Sequence, residues 1–373
     1  MKIAPKPRVA FMIPGLGRVR RGVEANVFKL AENLVSDFDV TVYCVSSEKQ
    51  FIDDQKIKIR TSWAIRNENS LIQLIYNHMP KLINDYFGRY FSYWPMEIEC
   101  LTFSLSLFPK LLRENFDVLF PVSIWGIMMA KTVRAIKGIK IVHINHGGAE
   151  DFIAKQNPDV FVCLNPDTLQ WVRNKHPNIK SVLLPLGIDT QRFSPKVKPV
   201  KLSLPRPIFI CAAALTSYKR IDLTIRAVGK LKSGSLLVLG AGELEEDLKR
   251  LGNKILGREK FLLTSVPYEL MPSYFSAGDV FTLVSEGETF ALVYLEAMAS
   301  GLPVVAPNDS RRKFMIGPAG IFCQPSNLDQ YAVALAKAAE TDFGEKPRKQ
   351  AEKFAIQTTS QAYSRLMVEL VSS

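Results

Sequence analysis

The stretch Ser285-Glu-Gly-Glu-Thr-Phe-Ala-Leu-Val-Tyr-Leu-Glu-Ala-Met-Ala-Ser-Gly-Leu-Pro-Val-Val-Ala306 carries two carboxylates, Glu288 and Glu296, with seven residues between them. Ser285, Gly287 and Thr289 mark a turn, the apolar content from Phe290 to Ser300 predicts a helix, and Gly301-Leu-Pro303 stops it ahead of an apolar strand. Glu288 then sits just before a helix and Glu296 within it. A strand-to-helix turn aims backbone N–H groups and the positive end of the helix dipole at one point, which suits a phosphate. No Lys or Arg occurs between Glu286 and Ser310, so neither carboxylate has a partner one helical turn away. Sugar or ribose hydroxyls would serve; the alternative is a turn Glu capping the helix and a second Glu on its solvated side.

Outward from this segment, short apolar runs alternate with helical periods. Val9 to Ile13, Val40 to Val45, Val118 to Phe120, Lys140 to Ile144 and Val160 to Leu164 read as parallel strands, and Val23, Val27, Leu30, Ala31 and Leu34 recur at helical spacing. Pro185-Leu-Gly-Ile-Asp189, Ser194 to Pro199, Pro205 and Pro207 concentrate chain breakers, as a linker does. A second series follows, with strand candidates Ile208 to Ala212, Leu236 to Leu239, Phe261 to Leu263, Val280 to Val284 and Val304 to Val305. The expected domains are residues 1–187 and 200–350, with a helix in 351–373 packing back on the first. At 373 residues and 47% apolar content the chain can build two cores. The expected fold class is α/β, two doubly wound Rossmann-like domains facing each other across a cleft.

The segment from Glu288 resembles the Glu-x7-Glu signature of the retaining glycosyltransferases of family 4, also called group 1. Glu288, Phe290, Leu292, Leu295, Glu296, Ala297, Met298, Ala299, Gly301 and Pro303-Val-Val-Ala306 carry the match; Thr289 and Ala291 stand where the family usually has Gly. Those two replacements predict a loop less free to adopt positive φ and a methyl close to any bound diphosphate. The resemblance extends to Pro14-Gly-Leu-Gly17 with Gly22-Val-Glu24, to Pro185 through Phe193, to Leu237 through Gly242 and to Tyr274 through Asp279. It implies the GT-B arrangement.

The resemblance also assigns roles. Lys219 matches a lysine that contacts the donor diphosphate, and Arg220 is beside it, whereas Ala214 occupies the position of a diphosphate-binding Arg. Loss of that contact removes roughly 1.5–3 kcal/mol unless another cation supplies it. His146, ahead of Gly147-Gly148, matches a histidine near the donor sugar. Glu288 is then expected to hold the donor sugar, Glu296 the ribose, and Gly15, Gly17 and the amides near Phe290, Ala291 and Leu292 the nucleotide and diphosphate. Arg18, Arg21 and Glu24 are the expected acceptor-side residues. A solvated helix start is the plain alternative for Lys219-Arg220, and a solvated loop for the arginines.

Other readings are weaker. Gly15-x-Gly17 and Gly240-x-Gly242 each follow a strand, but Arg20 and Glu245 stand where a dinucleotide fingerprint needs its third Gly. His143 and His146 are three apart on a strand end and diverge, so no metal site is expected. Six of the nine residues from Tyr86 to Trp94 are aromatic and could stack on sugars or rest at a membrane interface; helix packing is the preferred account. Five widely spaced cysteines read as reduced core residues. The N-terminal run Val9 to Ile13 is too short for a signal peptide, and the uncharged stretch Val118 to Ala130 too short to span a bilayer.

A net charge of +12 fits nucleotide phosphates, lipid pyrophosphates or an anionic membrane face; no nucleic-acid-binding signature occurs. The expectation is a retaining hexosyltransferase that uses a UDP-, GDP- or ADP-linked sugar and a saccharide or lipid-linked acceptor, with no cofactor and no metal. It is expected in the cytoplasm, with peripheral contact at the inner face of the cell membrane, in cell-surface polysaccharide synthesis. The alternatives are a non-catalytic nucleotide-sugar-binding protein and a sugar phosphorylase or epimerase of the same fold.

Overall fold

The computed structural model describes residues 5–16, 22–45, 57–78 and 94–372. Gly17, Arg18, Arg20 and Arg21 of the first loop, and the aromatic residues from Tyr86 to Tyr93, lie outside the described residues.

Strands β1 (Arg8–Met12), β2 (Asp39–Cys44), β3 (Lys58–Thr61), β4 (Val118–Pro121), β5 (Lys140–Ile144), β6 (Val160–Cys163) and β7 (Ser181–Leu183) form one sheet, ordered β3-β2-β1-β4-β5-β6-β7. Every pairing is parallel, with Val9 opposite both Val40 and Val118. A second parallel sheet holds β8 (Ile208–Ala212), β9 (Ser235–Leu239), β10 (Phe261–Thr264), β11 (Val280–Thr282), β12 (Val304–Pro307) and β13 (Gly320–Cys323), ordered β10-β9-β8-β11-β12-β13. Among the described residues helices connect the strands, as parallel pairing requires, apart from the β2–β3 connection, most of which lies outside the described residues. Central strands such as β8 and β9 are buried at every position, which explains why they read as unbroken apolar runs.

The strands that the apolar pattern misses, β3, β7 and β13, all lie at sheet edges. Lys-Ile-Arg-Thr in β3 is largely exposed and the three residues of β7 are half-buried, so neither needs an apolar run. In both sheets the strand order reverses beside the first strand, between β1 and β4 and between β8 and β11. Ligands of such sheets bind outside the carboxyl ends of the strands at that reversal.

The chain divides into one unit of residues 1–164, 168–184 and 360–373 and another of 165–167 and 185–359. Relative to the expected boundaries, residues 185–187 and 351–359 belong with the second unit. The cause is local pairing. Ile188 bridges to Ala355, with Ile188 N–H donating to the Phe354 carbonyl and Ile356 N–H to the Ile188 carbonyl, both at 2.8 Å. The final helix Ile356–Ser372 continues into the first unit, where Ser364 Oγ donates at 2.5 Å to Asp37 and Tyr363 OH at 2.9 Å to the Leu184 carbonyl.

The glycine pair after β9 is a packing requirement. A Cβ at Gly240 would lie 1.9 Å from the Ala213 carbonyl oxygen, and one at Gly242 2.6 Å from that of Leu215. The loops after β8 and β9 are laced together there, with Leu215 N–H donating to Ala241 and Leu244 N–H to Leu215, each at 3.0 Å. Gly240→Ala must push backbone apart and is expected to cost about 1–3 kcal/mol, as overpacked cores do, read as a lower urea midpoint. An unchanged midpoint would contradict this account.

Candidate active site

In the second unit, loops from four strand ends converge. The loop after β8 carries a short turn, Ser217–Lys219, and then the helix Ile221–Val228. Arg220, between them, is held at φ 50°, an uncommon conformation for a residue with a Cβ. The loop after β11 runs from Leu283 to Ala291 and enters the helix Leu292–Ala299. A hydrogen bond of 2.8 Å from Glu286 N–H to the Tyr218 carbonyl fastens the two loops. Their meeting point is the reversal between β8 and β11.

Lys219 and Glu288 form an ion pair, both largely buried, and Ser285 Oγ donates to the same Glu288 oxygen at 2.9 Å. Glu288 thus finds its partner on the neighbouring loop. The only residue of the 285–288 turn with positive φ is Gly287, at 71°. Thr289 and Ala291 adopt no such conformation, so their departure from glycine costs the loop nothing. Ala291 is buried within the apolar core, and Phe290 packs on Phe354 with ring centroids 6.1 Å apart. What these positions offer is backbone. Ala291 has no side-chain oxygen to cap the helix, and Glu288 does not reach back to do so, leaving the first-turn amides without a side-chain acceptor.

Glu296 is 8% exposed in a helix that is buried from Tyr294 to Ala299, which removes the solvated-side alternative. Tyr294 OH fixes this helix to the end of β11 through the Leu283 carbonyl, at 2.5 Å. Tyr268, from the turn after β10, donates to Glu296 at 2.8 Å, and the Arg192 guanidinium stacks 4.4 Å from the Tyr268 ring. Burial pushes the Glu296 carboxyl up to about 7, against the Tyr268 hydrogen bond and Arg192, which favour the ionised form.

Two arginines complete the site. Arg312 is buried, held by Asp309 at 2.8 Å, and donates at 2.6 Å to the Ser285 carbonyl. Arg311 donates to the Glu288 carbonyl at 3.2 Å. Arg220 pairs with Glu286 at 2.6 Å and approaches Asp222 at 3.4 Å, a more committed state than a solvated helix start. Tyr268, Arg311 and Arg312 were not singled out by the sequence, although each follows a strand candidate and Asp309 is a ready N-cap.

In the first unit, Gly15 and Glu24 are brought together, a Cβ at Gly15 lying 2.9 Å from Glu24 Oε1. His143 is buried, and its Nδ1–H donates to the Pro121 carbonyl at 3.1 Å. His146 follows the end of β5, with a buried Nε2 that has no hydrogen-bond partner among the described residues; the Nδ2 of buried Asn145 is likewise unpartnered. Burial lowers His143 to about 4 and His146 to about 3, the latter lowered also by the neighbouring His143, so both rings are neutral near pH 7. Among the described residues no group of three or more His, Cys, Asp or Glu could hold a metal ion, and no helix is long and apolar enough to cross a membrane.

The raised Glu296 value has a stability consequence. Folding favours its protonated form, so no penalty exists below the ordinary value of 4.5; stability is lost as pH rises from there to about 7, and the loss is constant above. Glu296→Gln keeps an acceptor for Tyr268 and removes the ionisation. Its stability relative to wild type should therefore improve between pH 5 and pH 8, by on the order of 2–3 kcal/mol, in urea titrations. A difference independent of pH would refute the buried, proton-favouring environment.

Residues 194–358 match the family model described as Glycosyl transferases group 1. A GDP-mannose-dependent monoacylated alpha-(1-6)-phosphatidylinositol monomannoside mannosyltransferase of Corynebacterium glutamicum is 26% identical over 257 residues, 60% of this chain and 67% of that protein. A UDP-Gal:alpha-D-GlcNAc-diphosphoundecaprenol alpha-1,3-galactosyltransferase of Escherichia coli is 23% identical, over 63% of this chain and 70% of that one. Among solved structures, sucrose-phosphate synthase from Thermosynechococcus elongatus superposes with a TM-score of 0.74 at 16% identity, covering 98% of this chain and 100% of that one. That likeness gives the GT-B fold. The Glu288–Glu296 segment lies inside the residues that match the group 1 glycosyltransferases, and the chain's relatives by sequence are glycosyltransferases.

Proposed function

We propose that the chain is a retaining hexosyltransferase that moves a sugar from a nucleotide-sugar to a saccharide or lipid-linked acceptor, in cell-surface polysaccharide synthesis. The observation that carries the reading is the convergence, at one sheet edge, of the Lys219–Glu288 pair, a helix N-terminus without a side-chain cap and the buried Glu296.

The chemistry follows from charge. As the sugar–phosphate bond breaks, positive charge grows at the anomeric carbon and negative charge on the diphosphate. Lys219 and the amides at Leu292 stabilise the diphosphate as fixed donors aimed where its charge develops. With those donors the reaction needs no metal ion. Glu288, already oriented by Ser285 and Lys219, accepts from hydroxyls of the donor sugar, and Glu296 accepts from the ribose. His146, with its covered and unpartnered Nε2, accepts from a sugar hydroxyl as a neutral imidazole. The relatives differ in donor, one using GDP-mannose and another UDP-galactose, so the base is left to experiment. Their acceptors are lipid-linked by name, which together with the net charge of +12 supports contact with an anionic membrane surface.

Thermal unfolding with UDP, GDP and ADP at matched concentrations tests the donor site, since a ligand of the native state raises stability. One nucleotide should raise the Tm of wild type and fail to raise that of Glu296→Ala. No shift with any of the three would overturn the reading. Co-sedimentation with vesicles rich in anionic lipid should occur at low salt and disappear at high salt; its absence at low salt would remove membrane contact from the proposal.

A further inference from the structure

Cleavage of a sugar–phosphate bond leaves its electron pair on the diphosphate oxygen. The acceptor hydroxyl oxygen bonds to the anomeric carbon and its proton passes to that diphosphate oxygen. Until the proton arrives, the leaving group carries an extra negative charge and needs a cation with free donors.

Most cations around the Glu288 loop are already matched by carboxylates. Lys219 is paired with Glu288, Arg220 lies between Glu286 and Asp222, and Arg312 is buried against Asp309 with its other end on the Ser285 carbonyl. Ala214, in the loop after β8, is exposed and brings no charge. Arg311 differs. Its guanidinium donates at 3.2 Å to the backbone carbonyl of Glu288, the residue whose side chain Lys219 holds. The carboxylate that it approaches, Asp167, is 3.7 Å away and already accepts from Ser310 Oγ. The side chain is 38% exposed, and a guanidinium has five N–H donors, of which this arrangement occupies few.

We infer that Arg311 is the diphosphate-binding arginine of this chain. It approaches the leaving group from the β12 side while Lys219 approaches from the β8 side, and its planar fork meets two phosphate oxygens at once. The inference rests on the second unit being the donor site.

The test compares a nucleoside diphosphate with its monophosphate, using the base that wild type prefers, by isothermal titration. Arg311→Gln retains an N–H for the Glu288 carbonyl and removes the charge; Arg311→Lys retains the charge and loses the fork. Wild type should prefer the diphosphate. Arg311→Gln should weaken diphosphate binding by about 10- to 100-fold and leave monophosphate binding unchanged, with Arg311→Lys between the two. If Arg311→Gln keeps the wild-type ratio of the two affinities, the inference falls while the donor site stands. If wild type binds neither nucleotide, the donor-site reading falls and takes the inference with it. If Arg311→Gln does not fold, a wild-type ratio in Arg311→Lys together with unchanged sensitivity to salt overturns the inference.

Discussion

The order of the second sheet constrains everything around the site. The chain builds β8, β9 and β10 outward in one direction and then returns to lay β11 on the other side of β8. The loops leaving β8 and β11 therefore part in opposite directions at the carboxyl edge and leave a crevice between them. Into this gap come Lys219 from one loop and Glu288 from the other, residues 69 apart in sequence. The Glu286–Tyr218 backbone hydrogen bond prevents the loops from separating, and Arg312 ties the second loop to the next strand end. Remove the reversal and these residues have no reason to meet.

Much of this was legible in the residues. Interior strands declare themselves because parallel sheets covered on both faces tolerate little but apolar side chains. Edge strands such as β3 face water on one side, and Lys58-Ile-Arg-Thr61 accordingly carries no signal. The helix from Leu292 and the placement of both glutamates follow from turn chemistry and from resemblance. Their partners do not. Tyr268 reaches Glu296 from the turn after β10, at the far side of the sheet order, and Arg311 reaches Glu288 from the turn after β12. Such pairs are set by the order of strands across the sheet, and no local pattern encodes it. Ala291 shows the same limit: sequence places it only near the loop, and the fold alone shows that it is buried in the apolar core.

Glu296 shows how the fold holds an acid in an unfavourable place. A helix apolar on nearly all sides is a stable way to fill the space behind β11 and β12, and one carboxyl group is embedded in it. Tyr268 supplies a donor, which satisfies one oxygen without neutralising the charge. The cost of burial remains and appears as a raised affinity for protons. In the proposed donor site, hydroxyl groups donated to this carboxylate would relieve part of that cost.

The Lys219–Glu288 pair makes its loop junction electrically quiet. An isolated lysine in a crevice would capture any passing anion, and inorganic phosphate is abundant in every cell. Here the ammonium is already satisfied, and a bare phosphate can engage it only by leaving Glu288 without its partner. A molecule that offers a hydroxyl to the carboxylate and a phosphate to the ammonium compensates both at once. In the proposed donor site the ion pair thus works as a two-key lock, selecting for the covalent linkage between sugar and diphosphate over either fragment alone.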